Sequence, residues 1–148
     1  MAIYVKNGVG VYDSETVLND SAASAVSGTS GAAGTVGGSA KVVDLGAAAR
    51  TDGKFVVNIS ENGTSASMKQ TIKLQGSDDN FTSDIVDLVI LETGHSGQLP
   101  GDENKGAGKY VLPYTNVING KAYRYLRAFA STSATSSDQV KYVGYLIP

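Results

Sequence analysis

The stretch GKAYRYLRAFAS, residues 120–131, decides the fold class. Within it Tyr123, Tyr125, Arg127 and Phe129 alternate with Arg124, Leu126, Ala128 and Ala130. Successive side chains leave a pleated strand on opposite faces, so period two with aromatic enrichment predicts a β-strand. Both faces carry apolar groups, which predicts an inner strand covered on both sides. The small alanines predict close approach of a second layer. Residues 131–138 (STSATSSD) form a polar loop, and residues 139–147 (QVKYVGYLI) form a second strand-like run. Two such runs joined by a short polar loop predict a C-terminal hairpin.

Working outward, residues 109–114 (KYVLPY) read as a strand whose Pro113 points to an edge position or a strand end. Before it, residues 92–109 form a long loop rich in glycine and charge, with Pro100 inside; loops of this length are usually functional or mobile. Residues 85–91 (IVDLVIL) are the most continuously apolar run, and their shortness and β-branching favour a strand over a helix. Residues 70–76 (QTIKLQG) alternate Ile72 and Leu74 with Lys73 and Gln75, giving one dry face and one wet face. The polar loop 77–84 carries Phe81, expected to plug an end of the sandwich. Residues 41–45 (KVVDL) and 54–60 (KFVVNIS) are further strands, flanked by turn chemistry at residues 51–53 and 61–63. Short extended pieces are expected at residues 2–5 and around Val9 and Val11, broken by the Asn7-Gly8 turn signal. Seven or eight antiparallel strands without a helical period predict an all-β sandwich of the jelly-roll kind.

Residues 21–40 contain only Ser, Ala, Gly, Thr and two valines. Such a tract has little apolar area to offset its ordering entropy, so it reads as a loose linker or long loop. The alternative is an arm that orders only against a partner. The chain thus divides into residues 1–40, an N-terminal strand with a flexible arm, and residues 41–148, the sandwich, within one domain. A length of 148 residues suits one core.

Composition narrows the function. The formal net charge of −2 gives no basic stripe for nucleic acid. Cysteine is absent, which excludes disulfides and thiolate metal sites. No apolar run approaches membrane-spanning length, and the opening MAIYVKNGVG lacks the plan of a signal peptide, so a soluble protein made in a cytoplasm is expected. His95 is the single histidine, so a histidine cluster cannot form. Gly101 and Gly106 have phosphate-loop spacing, but Ala107 stands where the lysine belongs. Asp78, Asp79 and Asn80 open like a calcium loop, yet Ser83 and Val89 replace its glycine and closing glutamate. Three Asn-X-Ser/Thr triplets, at Asn58, Asn62 and Asn80, are expected to be inert without a secretory signal. No catalytic constellation, cofactor or metal site is expected.

Four pieces occur in a telling order: Val43-Asp44-Leu45-Gly46, then residues 74–81 (LQGSDDNF), then residues 108–113 (GKYVLP), then residues 123–127 (YRYLR) before a last apolar strand. In order and spacing the chain resembles the capsid cement (decoration) proteins of tailed bacteriophages, the Bordetella-phage-like family with a jelly-roll fold. The tract before Lys41 looks longer than that family's N-terminal region. The resemblance implies a non-enzymatic virion protein on the capsid exterior, synthesised in the host bacterial cytoplasm. Its implied partners are the major capsid protein and further copies of itself, as a dimer or trimer, and neither nucleic acid nor membrane. Implied contact regions are Ile3, Tyr4 and Val5, Ser21 and Gly38 of the arm, and His95, Gln98 and Lys105 of the long loop. A carbohydrate- or receptor-binding jelly roll of a phage particle is the alternative, since the same architecture hosts lectins. A lectin would need exposed aromatics beside amides, and Gln98 and Asn104 have no aromatic near them in sequence before Tyr110.

Overall fold

A computed structural model describes residues 5–6, 9–10, 16–101 and 103–148, the first four as backbone only. Ile3, Tyr4 and most of the strand expected at residues 2–5 lie outside the described residues. Ten strands build two sheets: β1 (Val17–Asn19), β2 (Val26–Ser27), β3 (Ala32–Ala33), β4 (Val43–Asp44), β5 (Asp52–Asn62), β6 (Lys69–Ser77), β7 (Val86–Gly94), β8 (Gly108–Thr115), β9 (Tyr125–Thr132) and β10 (Gln139–Ile147). Among the described residues there is no α-helix, only a 3-10 turn at Ser96–Gln98.

The first sheet runs β8-β5-β10-β1, with β2 also on β10; the second runs β7-β6-β9-β3, with β4 also on β9. All these pairings are antiparallel. Since β1 and β2 share one flank and β3 and β4 another, the two sheets have four strand positions each. From β4 onward the chain changes sheet at every connection except the β6–β7 hairpin. That alternation is the jelly-roll order, and the all-β sandwich expected from the sequence is the observed fold.

The expected C-terminal hairpin is not formed, because β9 and β10 lie in facing sheets. Leu126, Ala128 and Ala130 of β9 and Val140, Tyr142 and Leu146 of β10 are all buried in one core cluster. Period two reports which face is buried, not which sheet a strand joins. Residues 133–138 cross between layers that stand roughly 10 Å apart, and buried Asp138 fastens that crossing. β9 is an inner strand as expected, but only its core face is closed; Tyr125, Arg127 and Phe129 on the other face are half-buried.

The core holds Leu18, Phe55, Ile72, Leu74, Leu126 and Leu146, each at 0% exposure. The turn expected at residues 51–53 is instead absorbed into β5, which starts at Asp52. Edge placement of the Pro113 strand is observed: β8 pairs with β5 alone.

The tract 21–40 lies on the sandwich rather than hanging free. β2 pairs with β10, β3 pairs with β9, and Thr35–Val36 pairs with Ser39–Ala40. Gly34 N donates to Ala128 O at 2.9 Å and Thr132 N to Gly28 O at 3.0 Å. Asn19 clamps the tract, its Nδ2 donating to Tyr142 O at 2.7 Å and its Oδ1 accepting from Thr35 N at 2.9 Å. Backbone pairing, not apolar area, orders this segment. Its small residues allow the approach, since a Cβ on Gly34 would run into the carbonyl of Leu18.

Candidate interaction surface

The jelly-roll alternation gathers the loops at two ends. At one end stand residues 63–68, 95–107 and 133–138. Asp138 is fully buried there, its Oδ2 accepting from Lys69 N at 3.0 Å, from Ser133 N at 3.1 Å and from Ser133 Oγ at 2.5 Å. Its Oδ1 accepts from Gln70 Nε2, which also donates to Gly63 O at 2.9 Å. Gln70 Oε1 in turn accepts from Asn62 Nδ2 at 2.7 Å and Thr93 Oγ1 at 3.0 Å. Buried polar groups without partners are costly, so this near-closed network holds three loops rigid.

The long loop is shorter than expected, because β7 runs on to Gly94 and Gly94 forms a two-way bridge with Lys105 (2.7 and 2.9 Å). His95 is half-buried and caps the 3-10 turn, its Nδ1 accepting from Gly97 N at 3.0 Å. Gln98 and Lys105 are exposed beside it; Lys105 serves the fold through its backbone, accepting from Asn62 Nδ2 at 3.3 Å. These three predicted contact residues therefore share one end. Ser21 lies apart, exposed, on a 190 Å³ cavity with Asn58, Lys141 and Tyr142. Gly38 lines a different cavity of 410 Å³ beside Asn19 and Val26. Val5 is described only as pairing with Gly10.

The opposite end is held by charge. Asn116 is buried and bonds Thr51 N (2.6 Å), Ala49 O (2.8 Å) and Tyr123 O (2.9 Å). Lys121 Nζ bridges Asp78 and Asp84 at 2.9 and 2.8 Å, and those carboxylates hold its pKa above the usual lysine range. Arg124 meets Asp44 through two bonds of 2.6 and 2.9 Å. That guanidinium, with the Gly46 N–H, lowers Asp44 from 3.8 to about 2.

Phe81 does not plug the sandwich. Asp79 accepts bonds from the Ser83 and Ser77 hydroxyls and from the N–H groups of Thr82, Ser83 and Asp84; the Ser83 hydroxyl above all, then Ser77 Oγ and the Asp84 and Ser83 N–H groups, depress its pKa. The loop so tied carries Asn80 and Phe81 at φ 56° and 62°, backbone conformations that cost side-chain-bearing residues energy. The result is a ring placed on the outer face of the second sheet, with the Arg127 guanidinium 4.2 Å from its centroid and 5.4 Å from that of Phe129. Arg127 Nε donates to Gln75 Oε1 at 3.0 Å, and Gln75 Nε2 donates to Asp87 at 2.9 Å. Tyr125 and the exposed Ile90 belong to the same face. The alternation of residues 123–130 put Arg127 among aromatics, but nothing in the sequence announced that Phe81 would close over it.

Among the described residues no group of three or more His, Cys, Asp or Glu could hold a metal ion, and no helix is long and apolar enough to cross a membrane. Among the described residues the buried hydroxyls of Tyr114 and Tyr142 have no partner, and burial raises both phenols above their ordinary pKa, Tyr114 to about 12. Compared with known proteins, the chain matches no protein-family model and no curated protein sequence.

Proposed function

We propose that this protein is a bacteriophage virion structural protein that binds the outside of the major capsid shell and stabilises it, a cement protein without catalytic chemistry. One observation supports this most. Three of the four sequence pieces that resemble the cement family meet at one corner of the fold: Asp44 pairs with Arg124, Asp78 accepts from Arg124 N at 3.4 Å, and Phe81 stacks on Arg127. Pieces scattered over 80 residues thus form one physical unit, as expected if they mark a shared architecture. A rigid sandwich with tied loops is also what attachment to a lattice requires, since many modest contacts add up when copies repeat. In this reading the partner is the major capsid protein, copies associate as dimers or trimers, and the protein resides on the virion exterior after synthesis in the bacterial cytoplasm.

The test is addition of purified protein to empty expanded shells that lack it. Saturable binding with a raised disruption temperature supports the proposal; no binding rejects it. The carbohydrate-binding alternative draws support from one feature: the Phe81 and Tyr125 rings share a face with the Gln75 amide. Binding to a glycan surface without binding to shells would favour it.

A further inference from the structure

Among the described residues of the second sheet's strands, Arg127 is the cation without a counter-charge. In the second sheet Lys69 pairs with Glu92 at 2.7 Å and Lys73 with Asp87 at 2.8 Å; beside it Arg124 and Lys121 are paired as well. Arg127 makes a single hydrogen bond, to Gln75, and has no carboxylate partner among the described residues. Among the described residues nothing accepts from its Nη1 and Nη2 groups, while Nε is occupied and the plane is held by two rings. Partial burial lowers its pKa, so the charge is held at a desolvation cost with no ion pair to offset it. The strained Asn80-Phe81 turn, tied by Asp79, adds a second cost whose visible product is the position of the Phe81 ring. Costs gathered at one surface point are characteristic of a binding site.

We propose that Arg127 is the anchor of the capsid-facing surface and receives a carboxylate from an acidic, apolar-flanked segment of the capsid subunit. The proposal rests on the capsid-binding reading above and deepens it. The Nη1/Nη2 edge of a guanidinium matches the two oxygens of a carboxylate, and such bidentate bonds are short, directional and charge-assisted. The surroundings specify the rest of the occupant. Phe81, Phe129 and Tyr125 offer apolar contact around the one positive charge of this face that has no carboxylate partner among the described residues, which suits one acidic side chain among apolar neighbours. Arg127 lines none of the clefts at Gly38, at Ser21 or at Leu112; it stands on an open sheet face, the kind of surface that a protein partner covers.

The experiment measures the affinity of the full chain for empty shells lacking it, over a salt series, for wild type, Arg127→Gln, Arg127→Lys and Phe81→Ala. The expected result is a Kd raised at least about tenfold by Arg127→Gln, a smaller rise for Arg127→Lys and Phe81→Ala, and a shallower salt dependence once the charge is gone. Should Arg127→Gln fail to fold, Arg127→Lys, which keeps the charge but loses the fork, carries the same test. Wild-type binding with unchanged Kd for the Arg127 variants would overturn the anchor and leave the capsid reading standing. Absence of wild-type binding would reject the capsid reading itself. Arg127-dependent binding to polygalacturonate, with none to shells, would overturn the protein partner and assign the site to an acidic sugar.

Discussion

Asp138 accepts a hydrogen bond from the Gln70 side chain, although the two residues are 68 positions apart and both are fully buried. The bond ties the β9–β10 crossing to β6 and, through Gln70, to Asn62 and Thr93 of β5 and β7. Removing the carboxylate would leave the Lys69 N–H, the Ser133 hydroxyl and one hydrogen of the Gln70 amide short of an acceptor, while the Ser133 N–H keeps its bond to Lys69 O. Asp138→Ala should therefore destabilise the fold by about 3–5 kcal/mol, since orphaned buried donors cost roughly 1–3 kcal/mol each and partly relax. Urea denaturation checks it; an unchanged midpoint would mean that the crossing is held by something else.

Leu126 is at 0% exposure on the core face of β9, between Gly76 of β6 and Val43 of β4. Leu126→Ala should cost about 2–5 kcal/mol, the penalty for truncating a packed leucine. The same variant should keep its antiparallel β spectrum by far-UV circular dichroism, because the sheet pairing does not depend on that side chain.

The burial of Leu126 was legible because alternation was strong: Leu126, Ala128 and Ala130 inside, and likewise Ile72 and Leu74. The partner sheet of β10 was not legible, since a six-residue connection of mostly polar residues can close a hairpin or cross a sandwich equally well. What decides is the Asp138 network, a contact between residues distant in sequence. The tract 21–40 was misjudged for a related reason. Composition measures how much apolar area a segment can bury, and this segment is ordered by backbone bonds to β9 and β10. Candidate contact residues His95, Gln98 and Lys105 were found by loop length alone. The Arg127–Phe81 stack was hidden because it depends on a positive-φ turn that no residue at position 80 or 81 demands.

The tract provides its own check. Gly34 lies between Leu18 O and its bond to Ala128 O. Gly34→Ala should force the tract off the sheet, cost about 1–3 kcal/mol as overpacking does, and open residues 21–40 to limited proteolysis. For the same reason deletion of residues 21–38 should destabilise the sandwich rather than simply remove an appendage.

The Asp44–Arg124 pair sets an acid dependence. The folded-state pKa of Asp44 is depressed from 3.8 to about 2, chiefly by its bond to Arg124 and then by the Gly46 N–H. A group depressed in the folded state contributes stability that is present above its unfolded pKa and lost as pH falls through the folded one. The melting temperature of wild type should thus exceed that of Asp44→Asn above pH 4, and the gap should close between pH 4 and 2. A gap independent of pH over that window would show that the pair contributes through shape, not charge.

The loop at residues 95–107 allows fold and attachment to be separated. Gln98 and Lys105 expose their side chains, while Lys105 holds the loop through backbone bonds to Gly94 that any residue but proline can make. Gln98→Ala with Lys105→Ala should leave the melting curve within error of wild type. On shells the outcome should differ, because truncating two side chains at each of many repeated contacts compounds across the lattice even when one contact is worth little. The expected result is weaker saturation and a lower disruption temperature than wild-type protein confers at equal concentration. Full protection by the double variant would remove this end of the sandwich from the contact and leave the Arg127 face as the attachment surface.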